Sequence, residues 1–310
     1  MKMNRLKERL KTGKFIITAE LEPPKGTDIK AFVSKAEMLK GWVDALNVTD
    51  NQRAMLRLSS AAGCTILQNM GIDSVFQVTS RDRNRLAIQS DLLGVYALGI
   101  RNVLAISGDY PTLGDHPGAK IVYDLDSVQI LDLVSLMNKG LDLKERLLDG
   151  GTEFFQGAVF NPNIDIIELQ LIKLKLKVDQ GAKFFQTQII YDLEKFQRFL
   201  DQFDQYGIDR DSVAIFAGIL PLRSAKNAIF INKNVPGIMI PQKTIDRLAN
   251  SSDPKRLGLE LAADFINKLK DVCEGIHIMT VGREQIIPEL LDIAGFKRED
   301  ITQDCIKTTT

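Results

Sequence analysis

Residues 73–107 read DSVFQVTSRDRNRLAIQSDLLGVYALGIRNVLAIS. The run DSVFQVT (73–79) is short and β-rich. It leads into RNRLAIQSDLLGVYALG (83–99), whose apolar spacing suits a helix packed on one face, and then into a second β-rich run, RNVLAIS (101–107). The same alternation extends in both directions. Further strand candidates are FIITAEL (15–21), VDALNVT (43–49), FFQGAVF (154–160), KFFQTQI (183–189), SVAIFAG (212–218) and GIHIMT (275–280). Helical patterns follow the Thr27-Asp28 cap, cover about 53–70, and recur in DSVQILDLVSLMN (126–138) and DIIELQLIKLKLKVDQG (165–181), where Gly181 supplies a stop. Eight βα units in 310 residues predict an α/β fold of the (β/α)8 TIM-barrel type, as one domain over 1–310 with irregular loops near 110–122 and 140–152. A doubly wound open sheet is the competitor, but no G-x-G-x-x-G follows the first strand.

Composition narrows the function classes. Lysine plus arginine equals aspartate plus glutamate at 40 each, so no overall field favours nucleic acid or an anionic membrane. No apolar run approaches the roughly 18 residues that span a bilayer, and the basic start MKMNRLKERLKTGKF has no apolar h-region. A cytoplasmic location is the expectation. Cys64, Cys273 and Cys305 form no CxxC pair and read as isolated buried thiols. With only His116 and His277 present, a multi-histidine metal centre is not expected, and no metal is assigned. Histidine-based acid–base chemistry is not expected either.

In a TIM barrel the reactive groups project from the C-terminal ends of strands and the loops that follow. Those ends carry Glu20 and Glu22, Asn47-Val48-Thr49-Asp50-Asn51, Gln77 with Thr79-Ser80-Arg81-Asp82, Ser107-Gly108-Asp109, Phe160-Asn161-Pro162-Asn163 and Gln186-Thr187-Gln188. Alternation puts Thr18, Glu20 and Glu22 on one face. If that face lines the mouth, Glu20 has apolar neighbours, and desolvation fits it for general-acid work; the plainer reading is a strand-end carboxylate bonded to backbone or a lysine. Asp109, in GDYP, is equally a turn residue. Gln186 and Gln188 share a face and suit the edge of a heterocycle, or satisfy neighbouring strand ends. Arg81, Arg83 and Arg85 are phosphate handles or a solvated face.

The order of TAELEPPKG (18–26), NVTDN (47–51), LGIRNVLAISGDYPT (98–112), KVDQGAKFFQTQIIYD (177–192) and AGILPLRSAKNAIF (217–230) resembles the methylenetetrahydrofolate reductases. The resemblance runs from about Phe15 to Arg283 and is similar to the short bacterial forms, including acetogen enzymes and the reductase part of homocysteine-methyltransferase fusions. It implies FAD at the barrel mouth and reduction of 5,10-methylenetetrahydrofolate to 5-methyltetrahydrofolate. By that resemblance Glu20 is the general acid that opens the imidazolidine ring, and Asp109 lies beside flavin and pterin and stabilises the cation. Gln188 and Arg283 bind the folate. Thr49, Gln77, Ser107, Gly108, Tyr123, Phe160 and Lys177 contact the flavin.

Three positions depart from the family pattern. Gln77 stands where a flavin-contacting histidine is usual, and Ser107 where an arginine precedes Gly-Asp. The aromatic residue that stacks on nicotinamide falls at Ile231, with Phe230 one place away. Two electron sources are therefore expected as alternatives: NADH or NADPH directly, or a partner protein. In the second case the chain is a folate-binding flavoprotein subunit of a larger electron-transfer complex. A homo-oligomer or hetero-complex is expected in either case.

Overall fold

The computed structural model describes residues 4–299. Eight parallel strands close a barrel: β1 (Ile16–Leu21), β2 (Ala45–Val48), β3 (Ser74–Thr79), β4 (Asn102–Ile106), β5 (Phe155–Phe160), β6 (Phe184–Ile189), β7 (Ala214–Ile219) and β8 (Gly275–Ile278), with β8 pairing back to β1. Helices α1 (Arg5–Lys11), α2 (Lys30–Leu39), α3 (Ser60–Asn69), α4 (Arg85–Ala97), α5 (Ser127–Asn138) and α6 (Ile167–Asp179) alternate with the first six strands. The later helices are α7 (Leu193–Leu200), α8 (Ala225–Asn234), α9 (Gln242–Ala249), α10 (Pro254–Leu269) and α11 (Ile287–Ile293). This is the expected (β/α)8 barrel. No helix among the described residues is long and apolar enough to cross a membrane.

Strand alternation sorts the side chains into two cores. On β5, Phe155 and Val159 join an inner cluster, while Ala158 and Phe160 join the larger core between barrel and helices. The inner cluster forms the barrel floor: Ile16, Ala45, Val75, Leu104 and the rings of Phe155, Phe184 and Phe216. Phe184 stacks on both other rings, at centroid distances of 5.1 and 5.6 Å. Its ring also covers Gly157, where any Cβ would overlap it, so the small residue in FFQGAVF makes room for the neighbouring strand's aromatic. Leu6 of α1 adds to this floor, and its amide donates to Asp73 Oδ2 at 3.0 Å. Burial pushes the Asp73 carboxyl up to about 6.

Local capping agrees with the sequence where its chemistry is explicit. Asp126 and Gln129 form a capping box at α5, and Gly181 lies at φ +92° just beyond α6. The helical pattern expected from about 53 is corrected: α3 starts at Ser60, capped by Ser59. Ahead of it Asn51, Arg53 and Ala54 all have positive φ (47°, 56° and 54°), because tertiary bonds bend this loop over the mouth. Arg53 N donates to Asp109 Oδ2 at 3.0 Å, and Arg57 N to Asn51 Oδ1 at 2.9 Å.

Cys64 and Cys273 are buried, and burial pushes both thiols up to about 12, so they stay protonated. Cys305 lies outside the described residues.

Candidate active site at the barrel mouth

Above the apolar floor the inward positions turn polar. Thr18, Asn47, Gln186 and His277 are all at most 2% exposed and bond to one another. Asn47 Nδ2 donates to Gln186 Oε1 at 2.7 Å, and Gln186 Nε2 donates back to Asn47 Oδ1 at 3.1 Å and to Thr18 Oγ1 at 3.3 Å. His277 Nδ1 lies 2.9 Å from Thr18 Oγ1. One inward step above Thr18 on β1 stands Glu20, in register with Asn47 and with its side chain 15% exposed. Gln52 Nε2 donates to Glu20 Oε2 at 3.2 Å, and His277 Nε2 faces Oε1 at 3.9 Å. The apolar surroundings expected for Glu20 are thus corrected to a polar cradle. Inward-facing positions near the C-terminal ends of β1, β2, β6 and β8 are Thr, Asn, Gln and His rather than aliphatic.

The loops after β1 to β4 are locked together. Arg81, 2% exposed at its side chain, pairs with Asp82 and donates to the carbonyls of Asp109 (3.1 Å) and Asn51 (3.3 Å). Arg83 holds the buried Asp50 at 2.6 Å, and Asp50 also accepts from Thr79 N and Oγ1. Arg85 grips Asp124 at 2.8 Å. In the run RDRNR each arginine is therefore paired with an aspartate, Arg81 and Arg83 withdrawn from solvent while Asp82, Asn84 and Arg85 remain on an exposed face. Lys25 joins the assembly through Asp115 at 2.5 Å, which also accepts from Leu56 N. Gly108 takes φ +86°, a Cβ there would crowd Thr79 and Arg81, and Tyr123 Oη donates to its carbonyl at 3.1 Å. Ser107 and Asp109 are exposed on the rim.

Thr49, Gln77, Ser107, Gly108 and Tyr123 all belong to this half of the mouth. Thr49 is fully buried, and its Oγ1 has no hydrogen-bond partner among the described residues; Thr280, just past β8, is the same. Buried hydroxyls are normally paired, so two orphans on the strands flanking β1 fit the contact with a bound group expected of Thr49.

Other expected site residues are placed elsewhere. Phe160 points outward and packs against Phe185, Phe199 and Phe203, because strand alternation turns it toward the helices. Lys177 Nζ donates to the Val159 carbonyl at 2.6 Å, and desolvation lowers it to about 8. Gln186 and Gln188 do not act as a pair at the rim. Gln186 is consumed inside the barrel, and a register irregularity against β7 follows it. Thr187 Oγ1 bridges this bulge from Gly218 N to the Gln188 carbonyl, while Gln188 Oε1 accepts from Ile189 N at 3.0 Å. Arg283 follows Val281 and Gly282, both at positive φ, and donates to the Pro221 carbonyl at 3.1 Å. Burial, then Arg223, lowers its pKa. Ile231 is buried in an apolar cluster, whereas Phe230 is 59% exposed.

Two neighbours of Glu20 were missed in the sequence. Gln52 lies in a stretch that reads as the approach to a helix. His277 was set aside because histidines are scarce, although its alternation with Ile276 and Ile278 in GIHIMT marks it as inward-facing.

A family model for methylenetetrahydrofolate reductase matches residues 5–295. The chain belongs to the methylenetetrahydrofolate reductase family. Among relatives of this family, it is 26% identical over 284 residues to the 5,10-methylenetetrahydrofolate reductase of Pectobacterium carotovorum, covering 88% of each chain. It is 26% identical over 293 residues to methylenetetrahydrofolate reductase 1 of Schizosaccharomyces pombe, covering 91% of this chain. It spans 46% of that yeast protein's length and 34% of a Caenorhabditis elegans relative. A solved Clostridium thermocellum protein, described as binding two copies of 5-methyl-5,6,7,8-tetrahydrofolic acid, shares the fold: TM-score 0.61, 17% identity, 93% of this chain and 97% of that one.

Proposed function

We propose that the chain catalyses flavin-dependent reduction of 5,10-methylenetetrahydrofolate to 5-methyltetrahydrofolate. The observation that carries this reading is Glu20, inward-facing at the mouth, bonded by Gln52 and faced by His277, in a chain of this family. FAD is the implied cofactor, and when bound it supplies the hydride. Thr49, with its unpaired hydroxyl, and the Gln77, Ser107, Gly108 and Tyr123 positions would hold it. Glu20 delivers a proton to a ring nitrogen of the folate, which opens the imidazolidine and generates an iminium cation. Asp109, fixed through its own carbonyl by Arg81 and at Oδ2 by Arg53 N, presents negative charge at the rim where that cation develops. Gln188 and Arg283 bind the folate.

The exposed Phe230 and buried Ile231 favour a second reading of the electron source, a partner protein instead of NADH or NADPH. One anaerobic experiment separates these. The FAD-loaded chain is mixed with NADH, NADPH or reduced ferredoxin, and flavin bleaching is followed before and after methylenetetrahydrofolate is added. Reoxidation by the folate is the expected result in every arm that reduces the flavin. A flavin reduced by any donor but inert to the folate overturns the proposal, and rapid bleaching by NADH alone removes the need for a partner.

A further inference from the structure

The buried bonds beneath Glu20 point to one tautomer of His277. Asn47 and Gln186 pair reciprocally, amide to amide, which orients both. Gln186 Nε2 then donates to Thr18 Oγ1, using one of its two lone pairs, at 3.3 Å. The Thr18 hydroxyl hydrogen is directed to the Ile276 carbonyl at 3.2 Å. What remains on Thr18 Oγ1 is an acceptor site, and His277 Nδ1 occupies it at 2.9 Å. With the hydroxyl hydrogen on that carbonyl, the neutral ring donates from Nδ1, which leaves Nε2 as a bare acceptor toward Glu20 Oε1 at 3.9 Å; a hydroxyl hydrogen on Nδ1 instead gives the opposite tautomer, and a 15N spectrum of the histidines decides between them. That separation is a facing contact; catalytic hydrogen bonds in free enzymes are often long and tighten when substrate binds.

We propose that His277 is a positioning residue for the acid: its Nε2 receives the hydrogen of a protonated Glu20 at Oε1, while Gln52 donates to Oε2. The two partners complement a carboxylic acid, one accepting and one donating. Two donors would complement a carboxylate and oppose proton delivery. Thr18, Asn47 and Gln186 act through His277 by selecting its tautomer. No other charged side chain is bonded to this cluster: among the described residues its hydrogen-bond partners are amides, a hydroxyl and a backbone carbonyl. The assignment of Glu20 as the acid rests on the proposed function; the tautomer does not.

Histidine-selective 15N labelling of the full chain tests the tautomer without any turnover. Only two histidines are present, and His116 is exposed in an outer loop, so the two signals are distinguishable. The expected spectrum shows His277 protonated at Nδ1 and bare at Nε2, with that preference lost in Thr18→Val. A ring protonated at Nε2 in the unsubstituted chain overturns the proposal. Kinetics of the FAD-loaded chain supply the second arm. His277→Asn keeps a donor near Nδ1 but removes the acceptor, and is expected to slow the folate half-reaction about 10- to 100-fold with flavin reduction and folate affinity nearly unchanged. His277→Gln, whose amide oxygen reaches the Nε2 position, is expected to recover most of that loss. Equal losses in both variants overturn the proposal. An unsubstituted chain that never reacts with folate overturns the proposed function instead, and the 15N spectrum then decides the His277 assignment by itself.

Discussion

The barrel floor and the layer above it are built by the same strands, two residues apart, yet they differ in kind. On β1 the inward series runs Ile16, Thr18, Glu20; on β2 it runs Ala45, Asn47, Thr49; on β3, Val75, Gln77, Thr79; and on β6, Phe184 is followed by Gln186. On these four strands the first upward step exchanges an apolar side chain for a polar one, whereas on β4 and β5 the inward Ile106 and Val159 stay apolar. The floor is held by stacked rings and contributes stability through burial. The layer above is held by directional bonds between amides, a hydroxyl and an imidazole, which hold orientations that a greasy core cannot. A graded interior separates the part of the barrel that keeps it closed from the part that holds side chains in a chosen geometry.

The sharpest break of this contrast is Glu20→Gln at the top of the polar series. It is expected to slow the folate half-reaction about 10²- to 10⁴-fold while flavin reduction continues, as stopped-flow absorbance would show. Parallel loss of both half-reactions would put Glu20 in the structural class. At the floor, Phe184→Ala removes the ring stacked on Phe155 and Phe216 and should lower the unfolding free energy by about 3–5 kcal/mol in a denaturant titration. Between the two, Gln186→Leu leaves Asn47 without its amide partner inside the barrel. A loss of about 1–3 kcal/mol is expected, together with a change in the His277 tautomer signal that Phe184→Ala does not produce.

The last prediction concerns Asp73, a buried carboxyl at the foot of the barrel. Asp73 stands at about 6 when folded against an ordinary 3.8, mainly through burial. The folded chain therefore holds more protons than the unfolded chain between these values. Stability from this group is complete below pH about 4 and is lost as pH rises through about 6. Asp73→Asn keeps an acceptor for Leu6 N and removes the charge. It should flatten that slope and stabilise the chain above pH 6 by about 3 kcal/mol, read from denaturation midpoints across the range.

Much of this was legible locally. The eight strands fall within two residues of the β-rich runs, because a period of two is written into each run by its own side chains. Placing Glu20 and Thr18 on one face needed only that period. The arginines of RDRNR were not legible: their aspartates lie next door for Arg81 but 33 residues away for Arg83 and 39 for Arg85. Phe160 is more instructive, since counting along β5 from the inward Phe155 and Val159 already turns it outward. Its expected place at the flavin came from resemblance, where the neighbouring loop lengths differ.

The sequence by itself determined the barrel and the carboxylates on its rim, since these follow from short-range periodicity and strand–helix order. Tertiary structure alone decided what each polar group is for. Thr18 and His277 are 259 residues apart in the chain and 2.9 Å apart in space, brought together only because β8 closes on β1. Hydrogen-bond roles are properties of such pairs, and no single stretch of sequence contains both members.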